Sequence, residues 1–526
     1  MPRHDDVRTR PDGVSRRSFL RGASTSLLGA GAIAATGGAC VFANDPAAEL
    51  ARRASAGNFG RMFPDLPVFS TQNEELWEAF VDIGKPGGIM DAKDDLAAGP
   101  IKLITDAALS VNNPNNPSQT AGTTFLGQFV DHDLTFDATS PLGVATDPAS
   151  SPNQRKSFLD LDSVYGGGPV TTPSLYDRSR TKLRIESSGP FEDVPRGSDN
   201  RAILGDPRND EHVMLSGLQT AFIKFHNAVV DRIRAEGRTS RQDLFRAARQ
   251  QVRWHYQWIV LNEFLPQIVG KPLVDDILRR GRRFYRPSGP TTMPVEFQGA
   301  AYRFGHSQVR PSYRANMAGD GGEPFFGMIF DPASDGQTDP ADMRGGCRAS
   351  RRFVGWQTFF DFGDGEVKPN KLIDTKLSTP LFTLPLSAIA SGEPPTSLPT
   401  RNLLRHITWQ LPSGQAIAAR MGSDRLAAAD VDELAAYGIG LDQNTPLWYY
   451  VLKEAELMSG GLTLGPVGGR IVGEVIIGVL QRDPGSFLSA RGWRPTLPTR
   501  DGRVTGDFRM VDLLTLAGVD PATRGQ

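Results

Sequence analysis

Gly127-Gln128-Phe129-Val130-Asp131-His132-Asp133 is the stretch on which the fold and the chemistry turn. It lies in a strongly patterned segment from Thr123 to Phe136. On a helix, Gln128 and His132 are four apart and Gln128 and Asp131 three apart, so an amide, a carboxylate and an imidazole share one face. Phe129 and Val130 then turn into the core. Burying three polar groups together is costly unless they have work to do. Asp133 lies about 100° round the helix from His132 and needs a partner elsewhere.

Working outward, the regions before and after this helix are turn-rich, with Asn112-Asn113-Pro114-Asn115-Asn116-Pro117 as a loop and an irregular crossing from Asp147 to about Arg201. A long helix is expected from about Asp210, where Leu215, Leu218, Phe222, Phe225, Val229 and Ile233 form one apolar face. A second follows Thr239-Ser240 and is expected to end at Pro266. Helical patterns recur at Ser397–Ile407, Leu447–Met458 and Val467–Leu480, the last also readable as a strand. Strand signals elsewhere are few. The expectation is a mainly α, large multi-helical enzyme with long loops and little β.

With 526 residues and 39% hydrophobic content the chain can bury a large core, and a formal charge of -1 gives no basic excess for nucleic acid or an anionic membrane. Ser15-Arg16-Arg17-Ser18-Phe19-Leu20, followed by a mild apolar run from Ala23 to Ala35, reads as a twin-arginine export signal occupying residues 1–43. Export to the periplasm or the medium is expected, with no membrane span. Of the two cysteines, Cys40 falls in that leader, so no internal disulfide is expected for Cys347. Residues 44–121 are expected to pack on a catalytic domain of 122–500, and 501–526 to form a tail.

Gln128-to-Asp133 resembles the distal-helix signature of the animal-type haem peroxidases, the myeloperoxidase and lactoperoxidase family, which has bacterial members. The resemblance runs from about Gly122 to Asp483 through five segments in family order. It implies His132 as acid–base catalyst, Gln128 beside bound halide or water, Asp131 as an ester to a haem methyl, and Asp133 as a calcium ligand. In Lys156-Ser157-Phe158-Leu159-Asp160-Leu161-Asp162 it implies a calcium loop. There Asp160 and Asp162 give side-chain oxygens and Lys156 and Phe158 give carbonyls, with Lys156 standing where many relatives carry a threonine. In Gly205-Asp206-Pro207-Arg208-Asn209-Asp210-Glu211-His212 it implies Arg208 as the distal guanidinium and Glu211 as a second haem ester. His212 replaces the methionine that would bond a vinyl group.

Tyr302-Arg303-Phe304-Gly305-His306 resembles the proximal signature, which makes His306 the iron ligand and puts Arg303 among the cofactor-binding residues. In Leu398-Pro399-Thr400-Arg401-Asn402-Leu403-Leu404-Arg405, Asn402 is expected to accept the imidazole N–H and Arg405 to bind a propionate. His226, His255 and His406, without motifs, are expected to be structural. The function implied is a haem b peroxidase with bound Ca2+, reducing hydrogen peroxide through an oxyferryl intermediate and oxidising a halide or a small phenolic donor, as in a response to oxidative stress. Two alternatives are a haem-dependent fatty-acid dioxygenase of the same superfamily, which wants a tyrosine where Arg303 stands, and a haem-free calcium-stabilised secreted binding protein.

Overall fold

The computed structural model describes residues 57–526 except 72, 190, 238–240, 288–291 and 390. The export signal of residues 1–43 and the Thr239-Ser240 helix start lie outside them. Six helices frame the site: α1 (Ala121–Leu134), α2 (Val213–Ala235), α3 (Arg241–Ile259), α4 (Leu398–Trp409), α5 (Leu447–Ser459) and α6 (Pro466–Arg482). Strands are short and scattered. Asn115–Thr120 pairs antiparallel with Pro369–Lys371, Ser312–Asn316 with Phe325–Met328, and Gly57–Gly60 lies between Pro152–Asn153 and Met293–Pro294. The mainly α expectation holds.

One apolar cluster runs from Phe59 to Val519 and unites these elements. α1 enters it through Phe129, fully buried and stacked on Phe222 of α2 with ring centroids 4.7 Å apart. Burying such a side chain contributes about 2–3 kcal/mol. Gly122 lets α1 approach its neighbours closely, since a Cβ there would sit 2.6 Å from the Phe359 carbonyl oxygen. The far end of α1 is tied down by Asn153, whose amide donates to Leu134 O at 2.9 Å and accepts from Phe136 N at 2.7 Å. The chain therefore leaves the helix along a fixed path just beyond His132.

Two local expectations change, and one alternative is settled. The helix after Ser240 does not stop at Pro266: it widens into a π turn, Val260–Phe264, and resumes as Leu265–Val269. The wider turn accommodates the missing amide hydrogen and the ring. The long helix begins later than about Asp210, and Arg208 and Glu211 precede it. Arg208 sits in a 3-10 turn, Pro207–Asp210, and the helix begins after His212, whose Nδ1 accepts Leu215 N at 3.3 Å as the N-cap. Finally, 467–480 is helical. Glu454 of α5 caps α6 by accepting Val467 N and Gly468 N at 3.0 and 3.1 Å, doing for a glycine-rich start what a serine cap does elsewhere.

Residues 510–516 form a further helix whose Met510, Leu513 and Leu514 are buried. Cys347 is disulfide-bonded in the full chain, whereas the expectation of no internal disulfide concerned the chain without its leader. The other cysteine of the sequence, Cys40, lies outside the described residues. Among the described residues no helix is long and apolar enough to cross a membrane.

Candidate active site

Four of the segments singled out in the sequence meet around one cavity of about 300 Å³. Its wall includes Gln128, Asp131 and His132 from α1, Arg208, Glu211 and His212 from the turn before α2, and Tyr302, Arg303 and His306 from the 3-10 segment Ala301–His306. The size falls in the ~300–1,000 Å³ range of small-molecule and cofactor sites.

His132 is buried, and its Nδ1 lies 2.9 Å from Asn209 Oδ1. The Asn209 amide nitrogen donates to Gln219 Oε1 at 2.9 Å, which leaves the amide oxygen to face the ring. The network therefore assigns the proton to Nδ1. Nε2 keeps its lone pair and makes no hydrogen bond to the described residues. Burial, and after it the charge of Arg208, hold the ring well below the ordinary histidine range, so it is a neutral base.

Arg208 is clamped. Its Nε and Nη2 donate to Asp206 at 3.1 and 2.8 Å, Nη2 also to Thr135 O at 2.6 Å, and Nη1 stands 4.0 Å from Asp131. Its guanidinium lies over the Phe136 ring at 4.3 Å. His212 donates Nε2–H to Gln128 Oε1 at 2.9 Å, because its Nδ1 is already an acceptor in the N-cap. Gln128 in turn donates to Glu211 Oε2 at 3.0 Å. Burial pushes Glu211 up to about 8 and raises Asp131 as well, so both carboxyls are held towards the neutral form.

His306 is likewise fixed through Nδ1, 2.7 Å from the Asn402 amide nitrogen. This reverses the expected polarity. Arg303 Nη1 donates to Asn402 Oδ1 at 2.9 Å, and a guanidinium can only donate, so the amide oxygen is taken and its NH2 faces the ring. Nδ1 of His306 accepts and does not donate. A metal at Nε2 would replace the remaining ring proton, giving a more electron-rich ligand than a neutral imidazole. Burial, then the Arg303 charge, lowers His306 to about 3.

Arg405 does not line the cavity; its Nη1 is 2.8 Å from Asp137 Oδ2, while Arg401 is in the wall. His226, His255 and His406 are hydrogen-bonded within the fold: Tyr165 and Thr181 hold the first, Gln251 and Thr496 the second, Trp448 and Asn402 the third.

Asp133 faces away from the cavity, as its helical angle requires, and gathers with Asp160 and Asp162 so that one oxygen of each lies within 4.8 Å of the others. Leu161 N donates to Asp133 at 3.0 Å from a left-handed φ of 57°, which bends the loop round the carboxylate. Burial and the neighbouring carboxylates push Asp133 well up, and burial pushes Asp162 up to about 6. Three buried acids of this kind suit a hard dication. Lys156 turns its ammonium to Asp160 at 3.7 Å, and Arg249 reaches the same carboxylate at 3.4 Å.

Residues 138–326 match the model of the animal haem peroxidase family, a span that holds Arg208, Glu211 and His306 and begins just past α1. The chain's likeness to animal haem peroxidases is carried by this span and by curated relatives. Among its relatives are the human probable oxidoreductase PXDNL, 27% identical over 37% of this chain and 15% of that protein, and mouse thyroid peroxidase, 28% identical over 32% of this chain and 21% of that protein. The chain matches less than a quarter of the length of these relatives. In fold it is similar to peroxidase A of Dictyostelium discoideum, with a TM-score of 0.57 at 14% identity over 82% of this chain and 88% of that one. It is also similar to a fatty acid alpha-dioxygenase of Arabidopsis thaliana, with a TM-score of 0.50 at 15% identity over 84% and 80% of the two chains.

A haem, the group that the matched family's description names, fits the residues present. Two imidazoles line one cavity, each pinned at Nδ1 with Nε2 unpartnered among the described residues. A Cβ placed on Gly305, beside His306, would meet nothing within 4 Å. Apolar walls from Phe264, Ile329, Leu381 and Leu398 suit a porphyrin face, and Arg303 and Arg401 suit its carboxylates.

Sequence reasoning singled out neither Asn209 and Gln219, which set the His132 tautomer, nor Asp206 and Arg155. Asp206 and Asn209 stood inside a quoted motif, but only the fold shows what they touch.

Proposed function

We propose that the chain is an exported bacterial haem peroxidase that reduces hydrogen peroxide and oxidises a small donor, a halide or a phenol. The supporting observation is the pair of tautomer-fixed imidazoles on one cavity, His132 and His306, with Arg208 and two carboxyls raised by burial, Asp131 and Glu211, in the same wall. His306 would hold the iron, and haem, when bound, would supply the electrons that cleave the peroxide bond. His132 Nε2 removes the proton from one peroxide oxygen and returns it to the other, which leaves as water. Asn209 keeps the ring in the one tautomer able to do this. Arg208, immobilised by Asp206, meets the negative charge that grows on the departing oxygen with no reorganisation. Asp131 and Glu211 line the space haem would occupy and would be its ester partners, with hydrogen peroxide as the two-electron oxidant of each methyl group, while His212, bonded to Gln128, would provide no third link. Asp133, Asp160 and Asp162 would hold Ca2+, joined by the carbonyls of Lys156 and Phe158. The twin-arginine motif at Arg16-Arg17 carries the chain out of the cytoplasm.

A dioxygenase reading has one observation in its favour: Tyr302 lines the cavity. Its hydroxyl, however, donates to Gly127 O at 3.1 Å, and the residue three before His306 is Arg303, bound to Asn402. A donor screen with peroxide separates the two. Turnover of iodide, bromide or phenols without oxygen uptake supports the peroxidase. Oxygen uptake with a fatty acid, and no donor turnover, overturns it.

A further inference from the structure

The cation cluster and the distal arginine are joined by a buried chain of ion pairs. Arg155 Nη1 donates to Asp162 at 3.0 Å, and its Nη2 donates to Asp206, the same carboxylate that clamps Arg208. Arg155, Asp162 and Asp206 are all buried, so water screens these charges little. Both guanidinia also lie against one ring, Phe136, at 5.9 and 4.3 Å, immediately past the end of α1. Among the described residues, Arg155 is thus the single side chain touching both a cluster carboxylate and the carboxylate that positions the catalytic guanidinium.

We propose that Arg155 is a positioning residue that couples occupancy of the Asp133–Asp160–Asp162 cation site to the anion affinity of the haem pocket. This rests on the haem reading above. With the site vacant, Asp162 and Asp206 share Arg155. A dication that takes the Asp162 oxygens competes with Arg155 there, and the guanidinium turns more fully to Asp206. Asp206 then holds Arg208 less tightly, and Arg208 has more charge to offer an anion in the pocket. Coupling of this kind is reciprocal: whatever factor the cation adds to anion affinity, the anion adds to cation affinity.

The test uses the haem-loaded protein, calcium and cyanide. Cyanide affinity is read from the Soret shift with calcium and after chelation, and calcium affinity from calorimetry with and without cyanide. In the unaltered protein each ligand should tighten the other by about fivefold. Arg155→Met keeps all three cluster carboxylates, so it should bind calcium at least as tightly while the coupling falls to about one. Arg155→Lys, which retains a cation but only one arm, should show reduced coupling and serves if the methionine variant does not accumulate. Coupling below twofold in the unaltered protein, or undiminished coupling in either variant, overturns the proposal. Absence of any Soret band would instead overturn the haem reading itself.

Discussion

Glu211 offers a prediction whose size follows from the site. Its carboxyl is buried, receives a hydrogen bond from Gln128 and feels the charges of Arg208, Asp206 and Asp131; burial dominates and pushes it up to about 8 from an ordinary 4.5. In haem-free protein, where no ester can form, the native state therefore holds a proton that the unfolded chain releases near pH 4.5. Stability from this group is full below that pH, declines as pH rises towards 8, and is flat beyond. The gap of 3.5 between those values, at about 1.36 kcal/mol per unit, sets a ceiling of ~5 kcal/mol. Glu211→Gln keeps the shape and an oxygen for Gln128 but does not titrate. Urea denaturation of haem-free protein and variant at intervals from pH 5 to 9 should show the variant gaining on the original by up to about 1.4 kcal/mol per pH unit below 8 and by nothing above. Parallel stability curves would refute the assignment of a neutral, buried Glu211.

Two further outcomes are expected. Asn209→Leu leaves the His132 ring without the acceptor that fixes its tautomer, so stopped-flow reaction with peroxide should slow by roughly 10–100-fold while haem content stays unchanged; an unaltered rate would count against the Asn209 role. Replacing both Asp131 and Glu211 by alanine should let acidified organic solvent extract haem that the original protein retains after exposure to peroxide, and equal retention in the two would count against ester attachment.

Much of the site was legible because helical geometry is periodic. The spacing of Gln128, Asp131 and His132 is enough to put them on one face, and the angle to Asp133 is enough to send it elsewhere, where Asp160 and Asp162 meet it. What spacing does not carry is the hydrogen-bond partner brought in from a distant segment. The polarity of the Asn402–His306 contact depends on Arg303 occupying the amide oxygen, and the His132 tautomer on Gln219 occupying the amide nitrogen of Asn209. Neither competition is visible in a motif. Arg155 sits one residue before the expected calcium loop, yet its two carboxylate partners are 7 and 51 residues away in sequence. Pro266 shows the limit of local rules: a helix-breaking residue is absorbed when packing favours a π turn over a stop. Arg405 was expected at a propionate, but Asp137 holds its guanidinium and Arg401 takes a place in the cavity wall.

The central claim is that iron is held at His306 with His132 across the same cavity. Absorbance spectroscopy of the protein expressed with haem, beside His306→Ala and His132→Ala, tests it most directly. The account predicts a Soret band in the original protein. It predicts a lost or displaced band with greatly weakened haem retention in His306→Ala, and a retained band that no longer shifts promptly on adding peroxide in His132→Ala. No Soret band in the original protein, or an unchanged spectrum in His306→Ala, would contradict it.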